Sequence, residues 1–185
     1  MHTRKIIFAI NITVDGFADH TAVIADDELH DFYSELLDSI DIVIFGRKTY
    51  QLIESFWPVA DKHPGSTRSM IEYAHKINAK PKIVFSKTLD KVTWNNTRLV
   101  KENMIDEVIR LKNEPGNNLS AGSLSIASAL AEKGLIDEYW FLVQPIILGK
   151  GKHLLTGLKK RIDLVQVDTR TFKSGVVAIH YLAKK

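Results

Sequence analysis

Apolar and β-branched residues crowd Lys5–Ile12 (KIIFAINI), and the turn signal Asp15-Gly16 follows. That pattern predicts a buried first strand opening into a loop. From Asp26 to Asp38, Leu29, Phe32, Leu36 and Leu37 recur at helical spacing behind an acidic first turn, which predicts an amphipathic helix. A second buried strand is expected at Asp41–Phe45 and stops at Gly46; a helix over Arg47–Ser55 follows, closed by Trp57-Pro58. After the loop at residues 63–67 (HPGST), the expected order is a helix at Arg68–Asn78, a strand at Pro81–Ser86, a shorter one at Thr97–Lys101 and a helix at Asn103–Asn113. The turn Glu114–Asn117 leads into a brief strand at Leu119–Ala121, then an alanine- and leucine-rich helix, Ser123–Lys133, stopped by Gly134.

From Asp137 the pattern changes. Glu138–Val143 (EYWFLV) is nearly continuous apolar strand, ending at Gln144-Pro145. Alternating positions through Ile162, Leu164, Val165, Val167, Thr169 and Thr171, a turn at Lys173–Gly175 and the run Val176–Leu182 predict a terminal β-hairpin. Strands alternating with helices and finishing in antiparallel strands imply an α/β fold: a mixed, mostly parallel sheet with helices on both faces. No repeat, low-complexity tract or linker interrupts the pattern, so residues 1–185 are expected to form one domain.

Composition supports this and removes several functions. With 45% hydrophobic and 25% charged residues, the 185-residue chain is ordinary globular protein, able to bury about 70% of its unfolded surface. Lys and Arg total 25 against 22 acids, a net charge of +3, too slight a balance for a nucleic-acid binder. The densest cationic stretch (Lys150, Lys152, His153, Lys159, Lys160, Arg161) reads as a solvated loop or as a site for phosphates of a small ligand. The absence of cysteine excludes disulfides, thiolate catalysis and thiolate metal sites. The N-terminal apolar run is broken by Asn11 and Asp15 and lacks a cleavage pattern, and no run is long enough to span a membrane. A cytoplasmic protein is expected.

Three strand ends carry candidate chemistry. At Phe45-Gly46-Arg47-Lys48-Thr49-Tyr50, a glycine turns the chain into a helix whose N-terminus, two cations and a hydroxyl suit phosphate; a plain turn with exposed cations is the competing reading. Ser120-Ala121-Gly122-Ser123-Leu124 offers small residues and a second helix start, with Ser123 as its N-cap. Ser86-Lys87 places a hydroxyl and a cation at another strand end. Two helix-start phosphate sites suggest a dinucleotide, provided both lie on one edge of the sheet. The seven histidines (His2, His20, His30, His63, His75, His153, His180) form no HExxH and no close pair, so no metal is expected. No nucleophile-elbow motif is present. Asp26, Asp27 and Glu28 are acid candidates, though helix starts carry acids for dipole reasons alone. Trp57, Trp94 and Trp140 read as core or pocket wall.

Together these segments resemble the dihydrofolate reductase-like superfamily, most closely the reductase domain of riboflavin biosynthesis and its stand-alone bacterial relatives. The resemblance is carried by Asn11–Phe17 (NITVDGF), Phe45–Tyr50 with Phe56-Trp57-Pro58, Ser120–Leu124, Gly134–Glu138 and Pro145–Gly151 (PIILGKG). It implies a single-domain three-layer fold with a C-terminal antiparallel hairpin, and an oxidoreductase that delivers hydride from NADPH to a C=N or C=O carbon. It further implies that Gly46, Arg47, Lys48, Thr49, Ser86 and Lys87 hold the adenosine-side phosphates and that Ala121, Gly122, Ser123 and Leu124 hold the pyrophosphate. Val14 and its loop would close over the nicotinamide. Asn11, Trp57, Pro145, Gly149 and Gly151 would line the substrate side, with Asp15 and Asp27 as the candidate catalytic acids.

Ser120-Ala121 stand where the family commonly has glycine, and Thr13 where it has serine. A folate reductase would need a carboxylate of the first helix in the cleft, so a carboxylate from Asp26–Glu28 there separates genuine dihydrofolate reduction from reduction of another pterin-like or ribosylamino-pyrimidine-like heterocycle. A relative that binds nucleotide without turnover is the alternative of another class. The resemblance also implies a homodimer acting on a small molecule; the slight charge balance and the short apolar runs lead to no expected nucleic-acid or membrane partner.

Overall fold

The computed structural model describes residues 4–184; His2 lies outside them. One eight-stranded sheet has the order β4-β3-β2-β5-β1-β6-β8-β7. Its strands are β1 (Ile6–Thr13), β2 (Ile40–Gly46), β3 (Lys82–Phe85), β4 (Thr97–Val100), β5 (Asn118–Ala121), β6 (Glu138–Gln144), β7 (Leu164–Thr171) and β8 (Val177–Ala183). The six strands from β4 to β6 are parallel; β8 pairs antiparallel with both β6 and β7. The helices are α1 (Asp27–Asp38), α2 (Arg47–Glu54), α3 (Arg68–Ala79), α4 (Met104–Asn113) and α5 (Leu124–Glu132). The expected mixed sheet and terminal hairpin are thus observed, with element ends shifted by a residue or two.

Two cores explain why the chain folds this way. Even-numbered β1 residues Ile6 and Phe8 join Ile44, Leu119 and Ala121 beneath α4 and α5. On the opposite face, Val43, Phe45 and Val84 pack with Leu37, Tyr50 and Ile77 of the α1–α3 layer and with Trp94 from the segment before β4. In β2, Ile42 and Ile44 serve one face and Val43 and Phe45 the other, the period of two that a doubly covered strand requires. A third cluster (Leu29, Phe32, Leu142, Phe172, Val176, Ala178) fastens α1 to the hairpin side.

Trp57–Lys62 forms a 3₁₀ turn where the sequence pattern predicts only a helix stop: Pro58 lies in its first turn, where a missing N–H costs nothing. Residues 146–148, apolar in sequence, are not strand; Ile146 instead accepts from the Val14 N–H at 3.0 Å, tying two loops together.

Parallel strands aim all their carboxyl ends at one edge. β1 lies between β5 and β6, and the chain leaves β1 toward β2 through the α1 layer but leaves β5 toward β6 through the α5 layer. This reversal opens a crevice at the carboxyl edge around β1.

Candidate active site

At the crevice, β2 and β5 are adjacent and parallel, with Ile44 opposite Ala121, so the two glycine-to-helix junctions stand side by side. They are also bonded: the Ser123 Oγ accepts the Gly46 N–H at 2.7 Å, and Ile44 O accepts the Gly122 N–H at 2.8 Å. Ser123 holds the N-cap position of α5 but makes no side-chain cap; its hydroxyl oxygen is spent on Gly46 instead. Gly46, at the N-cap of α2, has no side chain to cap with. By contrast, α1 and α3 are capped by Asp26 on the Leu29 N–H (2.9 Å) and Thr67 on the Met70 N–H (3.3 Å). The starts of α2 and α5 therefore keep first-turn N–H groups for an outside anion. At Gly122 any Cβ would meet the Phe45 ring at 2.7 Å, so the close approach of β5 to β2 requires glycine there.

Cations surround this edge. Arg47 and Lys48 are exposed, Lys87 is exposed beyond β3, and none of the three has an ion-pair partner among the described residues; Arg47 reaches only Gln51, at 3.4 Å. Unpaired cations beside open helix N-termini are a donor set suited to phosphates. The Ser86 Oγ accepts from the Thr88 and Leu89 N–H groups, shaping the turn that carries Lys87.

From these junctions a cavity of about 730 Å³ runs along β1 beneath α1. Lys48, Thr49, Ser120, Gly122, Ser123 and Leu124 line its β2/β5 end, and Asn11 and Trp57 its far end. The far end is aromatic: Trp57 meets Tyr73 at 4.5 Å and His30 at 5.6 Å, and Tyr33 lies 6.4 Å from Tyr73. Burial pushes both tyrosine phenols well above their usual range. The floor is pinned by a polar relay: Asn11 donates to Tyr33 Oη (3.0 Å) and accepts from buried Gln144 (2.9 Å), which in turn accepts the Ile24 N–H (2.9 Å).

Asp15 lies outside the cavity lining. Its carboxylate accepts from Thr13 Oγ1 (2.6 Å) and from the Gly149 (2.7 Å) and Leu148 (3.1 Å) N–H groups, and these bonds hold its pKa down at about 2. A carboxylate so satisfied is a clasp between the loop after β1 and the loop after β6, not a proton donor. Phe17 adds to the clasp by packing on His153 at 4.4 Å. Val14 is exposed on the outside of this double loop, and Pro145, Gly149 and Gly151 belong to it rather than to the cavity wall. Gly149, with φ of 75°, takes the backbone shape that aims its N–H at Asp15.

Asp27 also points elsewhere, accepting from Thr67 Oγ1 at the start of α3. Asp26 caps its own helix and Glu28 accepts the Lys173 N–H (2.6 Å), so none of the three acids lines the cavity. Among the described residues the one acid in the lining is Asp19, already bonded to Thr21. Lys152, from the cationic stretch, does reach the wall.

Sequence reasoning passed over His30, Tyr33, Tyr73 and Gln144. The spacing 29, 30, 33, 36, 37 along α1 was the available signal for the first two, but it reads equally as core.

The family profile of the RibD C-terminal domain matches residues 4–178. The chain belongs to this family, whose class is that of oxidoreductases. The uncharacterized protein YyaP of Bacillus subtilis is 33% identical over 184 residues, 96% of this chain and 94% of YyaP. Among solved structures, a Shewanella sp. PV-4 protein provisionally assigned to riboflavin biosynthesis superposes with a TM-score of 0.76 at 20% identity, covering 98% of this chain and 99% of that one. A dihydrofolate reductase of Enterococcus faecalis, complexed with NADP(H), gives 0.63 at 10% identity, covering 98% and 97%. The fold is dihydrofolate reductase-like.

Proposed function

We propose that this protein is an NADPH-dependent reductase of a small planar heterocycle, pterin-like or ribosylamino-pyrimidine-like. The observation that carries the reading is the pair of uncapped helix starts, joined by the Gly46–Ser123 bond, ringed by unpaired cations and opening into an aromatic-ended cleft. The residues fit the cofactor. Gly46–Thr49 with Lys87 would take the adenosine-side phosphates, Gly122–Leu124 the pyrophosphate, and the cleft along β1 the nicotinamide. When bound, NADPH supplies hydride for the reduction of a C=N or C=O group. The protein positions both rings for the transfer.

A genuine dihydrofolate reductase is the weaker alternative, because Asp26, Asp27 and Glu28 are all engaged away from the cleft. Asp15 and Asp27 serve as loop clasp and helix tie in this reading.

Titration with NADPH and NADH, followed by nicotinamide fluorescence, tests it. NADPH is expected to bind tightly and NADH weakly. Arg47→Ala should weaken NADPH more than NADH, by on the order of 1.5–3 kcal/mol for a direct charge-assisted contact to the 2′-phosphate. Equal loss for both cofactors would remove Arg47 from the site. Binding of neither would transfer the lead to a ligand-binding relative without turnover.

A further inference from the structure

Two rings of the aromatic wall, Trp57 and Tyr73, meet edge-on at 4.5 Å but come from different elements, the 3₁₀ turn and α3. Asn78, in the last turn of α3, ties the turn to the helix. Its orientation is fixed by its partners. An indole N–H can only donate, so Asn78 Oδ1 is the atom 2.5 Å from Trp94 Nε1, and Asn78 Nδ2 donates to the Trp57 carbonyl at 3.1 Å. Lys82 closes the same turn: its Nζ, buried, donates to the Ile77, Asn78 and Lys80 carbonyls and lies over the Trp94 ring. One lysine therefore touches both the helix end that carries Asn78 and the indole that Asn78 accepts from. Tyr73 and Ile77, from that helix, line the cavity with Trp57.

We propose that Lys82 and Asn78 are positioning residues for the ring-binding end of the cleft: the ammonium closes α3, and Asn78 carries that closure to Trp57, so the wall offered to a planar ligand depends on the third N–H of Lys82. This rests on reading the aromatic end as the place of a planar ring, and on no particular reaction.

An ammonium has three N–H bonds for the three carbonyls. An amine has two, so loss of the proton leaves one carbonyl of the last helical turn without its donor. Burial brings that loss down to about pH 8, and no carboxylate offsets it. From α3 the Nζ meets carbonyls, while Lys76 and Glu72 of that helix are engaged with each other and, through Lys76, with Asp38. The segment before β4 presents uncharged Trp94, and Tyr50, packed on that ring, accepts the Thr93 and Trp94 N–H groups. Glu54 is bonded to Thr93, Arg98 of β4 is paired with Glu107, and β2 sets Val43 beside the backbone of Lys82. Removing a buried charge favours the folded chain, so global stability rises over the range in which the wall loses its closure. Ring affinity that falls while the urea midpoint rises is a signature that a merely structural lysine would not give.

The chain has three tryptophans, so incorporated 5-fluorotryptophan gives three fluorine NMR signals, assigned by replacing Trp57, Trp94 and Trp140 with Phe one at a time. Titration starts at pH 7.5, above the ordinary imidazole range, because His30 packs on Trp57 and His63 on the adjoining Phe56. Up to pH 9.5 the Trp94 and Trp57 signals should inflect together near pH 8, and the Trp140 signal should not. Lys82→Met should abolish both inflections. In Asn78→Ala, Trp94 should keep its inflection and Trp57 lose it; this variant and the natural chain carry the experiment if Lys82→Met does not fold. Quinoxaline, planar and uncharged throughout, should move the Trp57 signal and bind about threefold more weakly at pH 9.5 than at pH 7.5, the worth of one misplaced aromatic contact. Asn78→Ala should remove that pH dependence. NADPH titrated at pH 7.5 judges the reductase reading separately, and its failure to bind would leave the tryptophan result standing. The proposal is overturned if Trp57 does not inflect with Trp94, if its inflection survives Asn78→Ala, if all three signals inflect, or if quinoxaline binds equally at both pH values or not at all.

Discussion

Ser123 shows how much one hydroxyl can organise. Sequence places it at a helix start, where a side-chain cap is the ordinary role; the structure directs it across to β2, where it satisfies Gly46 and locks the two candidate phosphate junctions together. The residue is only 4% exposed, so Ser123→Ala would leave the Gly46 N–H without an acceptor. A loss of about 1–3 kcal/mol is expected for an orphaned buried donor, read from the shift of the urea midpoint at constant slope. A change within experimental error would mean that the junction re-forms without the hydroxyl. Asp15 makes the complementary point. Its DG turn was legible, but its bonding to residues more than 130 positions away was not, and that bonding converts an apparent acid catalyst into a loop clasp.

At the scale of elements, α3 ends on an unusual device. Its last carbonyls have no Schellman turn; the Nζ of Lys82, 1% exposed, donates to the Ile77 (3.0 Å), Asn78 (3.3 Å) and Lys80 (2.8 Å) oxygens and lies 4.5 Å from the Trp94 ring centroid. Burial pushes its pKa down to about 8, below the value of 10.5 for a free lysine. Between those values the unfolded chain binds the extra proton, so stability rises with pH upward from about 8. Above pH 10 the trend reverses. Burial raises Tyr139 to about 12, and Tyr33 and Tyr73 rise as well, so there the folded chain holds protons that the unfolded chain loses. Urea midpoints measured from pH 7 to 11 should pass through a maximum near pH 10, and Lys82→Met should flatten the rising limb. A monotonic fall from pH 8 would contradict the burial of an ammonium at this position. The helix itself was readable from its apolar period; its C-terminal closure was not, because the closing residue belongs to the next strand.

For the whole molecule, β7 presents a free strand edge, and its Val165 and Val167 are 43% and 48% exposed. An open edge with apolar side chains invites pairing with another chain, and the prediction at this scale is a homodimer formed through it. Sedimentation equilibrium should give twice the 20.9 kDa chain mass, and Val167→Lys should shift the population toward monomer. A monomer at micromolar concentration would leave the β7 edge without this role.

The strands, the helices, the glycine junctions and the order that ends in a hairpin are local features, written in periods of 2 and 3.6 and in turn residues. These are properties of neighbours along the chain. That the Gly46 and Gly122 junctions share one edge, that Asp26, Asp27 and Glu28 turn away from the cleft, and that His30 turns toward it depend on strand order and on the rotation of α1 over the sheet. Those are set by how the two core faces fill, a property of the packed whole that no local pattern encodes.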